Sequence, residues 1–328
     1  MHRQEKGCFS GWDIGGAHLK VVRCDNDGQL LQAIELPCPL WHGKNALRKA
    51  IRLALDTLNN ELDQQLITMT GIAEYFPADR VSVFSKNGWL SQEEARINWD
   101  AVASMNWLAS AQLAAAHYPT ALLIDCGSTT TDIMTLVQSL PELTAYDDQG
   151  RLNSGELLYT GVIRTPLMAV SRKLPFRGQW QTMAAELFAT TGDCWRILDE
   201  ISAAQINDKS ADGNDWSIEN CQRRLARMLG TDANLYSAAD WKNVAHWFTE
   251  QQVQQIHNAC LQVLSAHPDV DWQAPVIGAG TGRFVTQLIA SRLQRPYVDF
   301  DNLLGTHETA AAYAPASALA LLAQRQFT

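Results

Sequence analysis

The chain is 328 residues long, 46% hydrophobic and 19% charged, which suits a soluble globular protein of about two domains at roughly 150 residues each. A formal net charge of -9 with no Lys/Arg-rich stripe disfavours capture of nucleic acid or an anionic membrane, and leaves room for a small anionic ligand. The opening MHRQEKGCFSGWD lacks the apolar region of a secretory signal, and no stretch reaches the ~20 apolar residues of a membrane span, so a cytoplasmic protein is expected. Seven scattered cysteines with no C-x-x-C pair argue against zinc and a disulfide framework, and read as small buried hydrophobes.

In chain order, residues 8–36 predict a meander of three short strands, broken at Gly15-Gly16 and at Asp25 to Gly28. Leu47, Ile51, Leu55 and Leu58 recur at helical spacing over 44–58, and the apolar run 66–69 before Gly71 reads as a buried strand. An Ala-rich helix is expected over 99–117, then a second buried strand over 121–125 that stops at a Gly/Ser/Thr turn. Strand and loop follow over 154–166, with helices over 182–201, 218–229 and 241–264. A strand over 274–278, a helix over 282–293 and an Ala-rich closing helix over 309–323 complete the chain.

Three turns carry chemistry. In GWDIGGAHLK (11–20) a strand ends in Asp13, and Gly15-Gly16 makes a tight turn whose backbone N–H groups can approach an oxyanion. Asp13 suits a hydrated Mg²⁺, which is bound by one or two carboxylates plus ligand phosphates. In LLIDCGSTTTDI (122–133) Asp125 again ends a strand before Gly127, Ser128, Thr129 and Thr130 add donors for phosphate oxygens, and Asp132 is a second carboxylate. In VIGAGTGRF (276–284), Gly278, Gly280 and Gly282 precede a helix whose N-terminus favours an anion.

Taken alone, the first turn also reads as a structural hairpin and the second as a helix cap or Thr-rich turn. A dinucleotide fingerprint fails in the third, because the last glycine of G-x-G-x-x-G falls on Arg283. Trp12, Trp99 and Trp107 fit core packing better than substrate stacking.

Together, D-I-G-G, D-C-G-S-T-T-T-D and G-A-G-T-G resemble the two phosphate motifs and the adenosine motif of the actin, sugar-kinase and heat-shock-ATPase superfamily. Within it, GWDIGGAHLK, TMTG (68–71), NWLA (106–109), SGELLYTGVIRTP (154–166) and AAELFATTGD (184–193) are similar to blocks of hydantoinase/oxoprolinase-like proteins of tetrahydromethanopterin-linked one-carbon metabolism. Ile72 and Ala73 depart from that group's Glu-Leu, which leaves Glu74 and the acceptor loop open.

The resemblance implies a two-lobed, actin-like (ribonuclease H-like) α/β fold with a central cleft. One lobe would be 1–118 plus 304–328, and the other 119–303 with a helical insertion. A characterised activity of the group, methanofuran-type cofactor synthesis, joins an aminomethylfuran-methyl diphosphate to the phenol of glutamyltyramine. On that pattern Asp13 and Asp125 would hold Mg²⁺, and Gly15, Gly16, Gly127, Ser128, Thr129 and Thr130 would cradle diphosphate. Lys20 and Arg164 would clamp it, Gly278, Gly280 and Gly282 would line the nucleotide motif, and Asp132, Glu156 or His18 would take the phenol proton. An ATP-dependent kinase or oxoprolinase-like hydrolase, and a nucleotide-gated scaffold, are the alternatives. ATP as cofactor and a homodimer are left open.

Overall fold

The computed structural model describes residues 8–15, 17–58, 64–67, 78–305 and 310–328. Strands β1 (Cys8–Ile14), β2 (His18–Asp25) and β3 (Leu30–Pro37) form the expected meander. Gly15 N–H donates to the His18 carbonyl at 2.9 Å to close the first hairpin, and Gly28 turns the second with φ 80°. Helix α1 (Lys44–Thr57) buries Ala50, Ile51 and Ala54 against the sheet. Strand β4 (Gln64–Ile67) then lies parallel to β1, β5 (Val81–Ser85) is parallel to β4, and β6 (Gly88–Leu90) folds back on β5. The resulting sheet has the order β3-β2-β1-β4-β5-β6.

The single helix expected over 99–117 is two, α3 (Trp99–Val102) and α4 (Asn106–His117), after the short α2 (Gln92–Ile97). Ser104 between them has φ 56°, a left-handed conformation that breaks the backbone ladder although the apolar spacing continues. Both α2 and the β5–β6 hairpin escaped the sequence reading; a Ser91–Glu94 capping box starts α2.

The second lobe repeats the meander with β7 (Ala121–Cys126), β8 (Thr131–Val137) and β9 (Leu140–Glu142), followed by α5 (Asp148–Ser154), β10 (Leu157–Leu158) and α6 (Leu167–Val170). A separate hairpin, β11 (Lys173–Phe176) with β12 (Gln179–Thr182), ends where the helix expected over 182–201 should begin, and 183–190 are not helical. Only α7 (Thr191–Ile197) is helical there, because the Thr190–Asp193 capping box fixes its start. Helices α8 (Ile218–Met228) and α9 (Ala238–Ala266) form the helical middle, β13 (Val276–Ala279), α10 (Arg283–Arg292), β14 (Tyr297–Asp299) and α11 (Asp301–Leu304) complete the lobe, and α12 (Ala314–Phe327) ends the chain packed on β1, β2 and α4. The second sheet has the order β10-β8-β7-β13-β14, with β9 on β8.

Each sheet thus opens with an antiparallel meander and continues with parallel strands, the arrangement of a two-lobed, ribonuclease H-like α/β protein. One core holds α4 and α12 together with Phe9 and Val22 of the first sheet and Leu123, Met134 and Ile277 of the second, so the lobes share a hydrophobic spine. Gly11 makes this close approach available, since a Cβ there would strike the backbone of Ala316 and Ala320 in α12. A second core lies under α1, and a third unites the outer face of the second sheet with α7–α10. All seven cysteines are buried and outside any disulfide, and no helix among the described residues is long and apolar enough to cross a membrane.

Candidate active site

The two aspartate turns are equivalent hairpins. Gly127 N–H donates to the Thr130 carbonyl at 2.9 Å, as Gly15 does to His18. Asp13 pairs across the hairpin with Lys20, and Asp125 with Asp132. Residues directly opposite in an antiparallel ladder share a face, so each hairpin presents two charged groups side by side.

The four groups act on one another. Burial raises the pKa of Asp13, while Lys20 and a hydrogen bond from Asn106 Nδ2 (3.2 Å to Oδ1) oppose the rise. Burial also pushes Asp125 up to about 7, with Asp132 and Asp13 adding to the shift and Lys20 opposing it. Lys20, whose ammonium donates to the Ala312 carbonyl, therefore serves carboxylates of both lobes. Burial raises Asp132 too, against the pull of Arg151 at 2.9 Å. The Arg151 guanidinium lies 3.8 Å over the Trp107 ring, so α4 supports it from behind.

The segment 160–165 braces the second turn. Val162 N–H donates to the Gly127 carbonyl, and Ile163 and Arg164 N–H both donate to the Ser128 carbonyl. Gly161 lies so close that a Cβ would strike the Ser128 and Thr129 backbone. The Arg164 guanidinium donates to Thr129 Oγ1 at 3.3 Å and lies 3.7 Å from Asp208, which places it beside the hydroxyl turn. Thr129 is also within 3.5 Å of the Ser128 hydroxyl.

The third turn packs against the second. Gly280 has φ 83°, and a Cβ there would meet the Cys126 carbonyl and Asp125 Oδ1, so its bare backbone forms a wall of the Asp125 carboxylate. Gly278 and Gly282 differ from the nucleotide-lining expectation. The space beside Gly278 is filled by Thr286 and the Tyr297 ring, and that beside Gly282 by Val162 and Cys126, so both serve the packing of this turn against its own chain.

Glu156 also departs from its expected part as a proton acceptor. It is buried with its oxygens committed to Thr144 N–H (2.6 Å), Ala145 N–H (3.2 Å) and the Ser154 hydroxyl (2.8 Å), which ties loop 144–145 to α5. His18 is enclosed by two carboxylates, Glu35 at 3.7 Å and Asp208 at 3.5 Å. Gly16, the TMTG block at 68–71 and Ile72, Ala73 and Glu74 lie outside the described residues. Trp12 and Trp107 are core residues, whereas Trp99 is 68% exposed.

Four residues were not singled out as site members from sequence. Asn106 and Trp107 sit in the NWLA block, where Asn106 reads only as part of the block and Trp107 only as a core residue. Arg151 and Asp208 carry no local signal, because their partners lie 19 residues and more away.

Asp13 and Asp125 offer buried, desolvated oxygen donors beside phosphate-type turns, the donor set Mg²⁺ prefers. Among the described residues no group of three or more His, Cys, Asp or Glu could hold a metal ion.

A family model described as Hydantoinase/oxoprolinase matches residues 45–326. A (4-{4-[2-(gamma-L-glutamylamino)ethyl]phenoxymethyl}furan-2-yl)methanamine synthase of Methanocaldococcus jannaschii is 30% identical over 245 residues, covering 69% of this chain and 72% of that protein. A protein of the same name from Methanococcus vannielii is 36% identical over 124 residues, 38% of this chain and 55% of its own length. Component A of the (R)-2-hydroxyglutaryl-CoA dehydratase of Acidaminococcus fermentans aligns over 98% of each chain with 10% identity and a TM-score of 0.45.

Proposed function

The chain belongs to the hydantoinase/oxoprolinase family, and from that premise we propose that it is a transferase of methanofuran-type cofactor synthesis, coupling a furan-methyl diphosphate to the phenol of a glutamyltyramine-like acceptor. The observation that carries the reading is the pair of equivalent glycine hairpins, which set Asp13 opposite Lys20 and Asp125 opposite Asp132, groups that act on one another electrostatically. The name of the Methanocaldococcus jannaschii relative describes a phenoxymethyl furan, the ether such a coupling makes.

In this reading the diphosphate lies on the Gly15 and Gly127 turns, where backbone N–H groups and the Ser128, Thr129 and Thr130 hydroxyls receive its oxygens. Asp13 and Asp125 would hold Mg²⁺, which would supply charge neutralisation for the departing diphosphate. Lys20 opposes the upward shift of both carboxylates and adds positive charge at the same place. Asp132 uses Oδ1 for Arg151 and accepts the phenol proton on Oδ2 as the phenol oxygen bonds to the furan methylene carbon. The bond from that carbon to phosphate breaks, and its electron pair leaves with the diphosphate.

Incubation of the purified protein with Mg²⁺, the furan-methyl diphosphate and glutamyltyramine tests the proposal. Mass spectrometry should find one ether and one free diphosphate per turnover; neither product from folded protein would remove it. Parallel incubation with ATP separates the kinase and hydrolase alternative, which requires Mg²⁺-dependent release of nucleotide phosphate.

A further inference from the structure

A chain of polar groups crosses from one lobe to the other beside the proposed diphosphate turns. Glu35 on β3 meets His18 Nδ1 at 3.7 Å, His18 Nε2 meets Asp208 Oδ1 at 3.5 Å, and the same Asp208 oxygen lies 3.7 Å from Arg164 Nε. Arg164 continues the chain to Thr129 of the second turn. Asn207 makes a parallel crossing to Glu35 at 3.0 Å. The loop that brings Asp208 follows a 3-10 turn at Ala203–Gln205 and is anchored where Trp216 Nε1 donates to the Asp208 carbonyl at 2.9 Å.

The groups around Asp208 are those an anion would want. His18 from one lobe and Arg164 from the other converge on a single carboxylate oxygen, and Lys20 of the aspartate cluster also acts on it electrostatically. The Asp208 side chain is 15% exposed and that of His18 10%, so the carboxylate sits between Arg164 and His18, with Glu35 on the far side of the imidazole, in a partly dehydrated place. Glu35 on Nδ1 fixes the imidazole so that Nε2 points to Asp208. Arg164 bridges the carboxylate and the phosphate-type turn, within reach of either by rotation of one side chain.

We propose that His18 and Arg164 form an anion subsite for the outer phosphate of the ligand, and that Asp208 fills this subsite as an internal stand-in until phosphate displaces it. The inference rests on the reading of the two hairpins as a diphosphate cradle and adds how entry is controlled. Phosphate takes Arg164 and His18 from Asp208, and the released loop gives up its crossing to the first lobe. Departure of diphosphate restores the internal carboxylate and helps expel the product. Asp208 is a positioning residue here, since it touches Arg164 and His18 and not the reacting atoms.

A double-mutant cycle with inorganic diphosphate in the presence of Mg²⁺ tests this by calorimetry, with melting temperatures as the check of folding. Removing the competing charge in Asp208→Asn should tighten diphosphate binding roughly tenfold. Arg164→Ala should weaken it, and in the Arg164→Ala background the Asp208→Asn gain should largely vanish. Asp208→Ser, too short to reach Arg164, should behave as Asp208→Asn does and replaces it if that variant melts early. Unchanged or weaker binding in both Asp208 variants, or a full gain without Arg164, overturns the stand-in role while leaving the cradle intact. Absence of diphosphate binding in the wild-type protein and in every variant overturns the cradle itself and the subsite with it.

Discussion

Asp125 stands directly opposite Asp132 on the neighbouring strand, at the place where the first hairpin sets Asp13 opposite Lys20. Like charges face to face across a ladder destabilise it, and the second lobe offsets this with a buried arginine. Arg151 is 1% exposed, bonded to Asp132 and stacked on Trp107.

Arg151→Met should therefore leave Asp132 as an uncompensated buried acid. We expect a loss of about 3–5 kcal/mol in urea unfolding at neutral pH. Asp132→Asn combined with Arg151→Met should recover much of it, because no buried charge is then left without a partner. Equal stability of the single variant and the wild-type protein would mean that Arg151 does not carry Asp132.

The elevated Asp125 carries a pH signature. Its folded pKa, about 7, lies above the ordinary 3.8, so the native state keeps a proton that the unfolded chain gives up. Stability of the metal-free protein should accordingly be lost as pH rises from 4 through 7, by an amount on the order of 4 kcal/mol from this group. In Asp125→Asn the slope over that window should flatten, and saturating Mg²⁺ with diphosphate should offset the loss in the wild-type protein. Chemical denaturation at half-unit pH steps reads both effects.

Asn106 keeps Asp13 in reach of ionisation through its hydrogen bond to Oδ1, one of the contacts that oppose the upward shift. Asn106→Ala should raise the Asp13 pKa further, so that Mg²⁺-dependent diphosphate binding moves its midpoint to higher pH. At pH 7 the affinity should fall roughly tenfold, the equivalent of one charge-assisted hydrogen bond. Binding isotherms between pH 6 and 9 distinguish this shift from a uniform loss at all pH values.

Gly280 is the backbone against which the Asp125 carboxylate rests, with φ 83°. Gly280→Ala combines a left-handed strain of about 1 kcal/mol with overpacking of about 1–3 kcal/mol. It should lower the melting temperature and weaken diphosphate binding together. Gly178, with φ 83° in open space, supplies the comparison: Gly178→Ala carries the strain alone and should leave ligand binding unchanged.

The sequence showed the strand-turn repeats because their signals are local. Asp-x-Gly spacing, the alternation of β1–β2 and β7–β8 and the helical stripe of α1 each lie within a few residues. The reading erred where spacing survives but backbone geometry does not, as at Ser104, whose positive φ splits one apolar stripe into α3 and α4. It also erred where residue type is ambiguous about environment. Glu156 near a phosphate-type motif looks like a base, yet its carboxylate is spent on the amides of loop 144–145. The glycines at 278 and 282 look like ligand walls, yet their missing Cβ atoms make room for Tyr297 and Val162.

By itself, the sequence determined that two aspartates would end two similar strands at glycine turns, since strand alternation and turn chemistry act over a few bonds. Only the tertiary structure decided that both aspartates share Lys20, that Arg151 and Trp107 stand behind Asp132, and that Asp208 closes on His18 and Arg164. Charge–charge contact depends on distance through space, and the fold brings together groups that the chain keeps up to about two hundred residues apart.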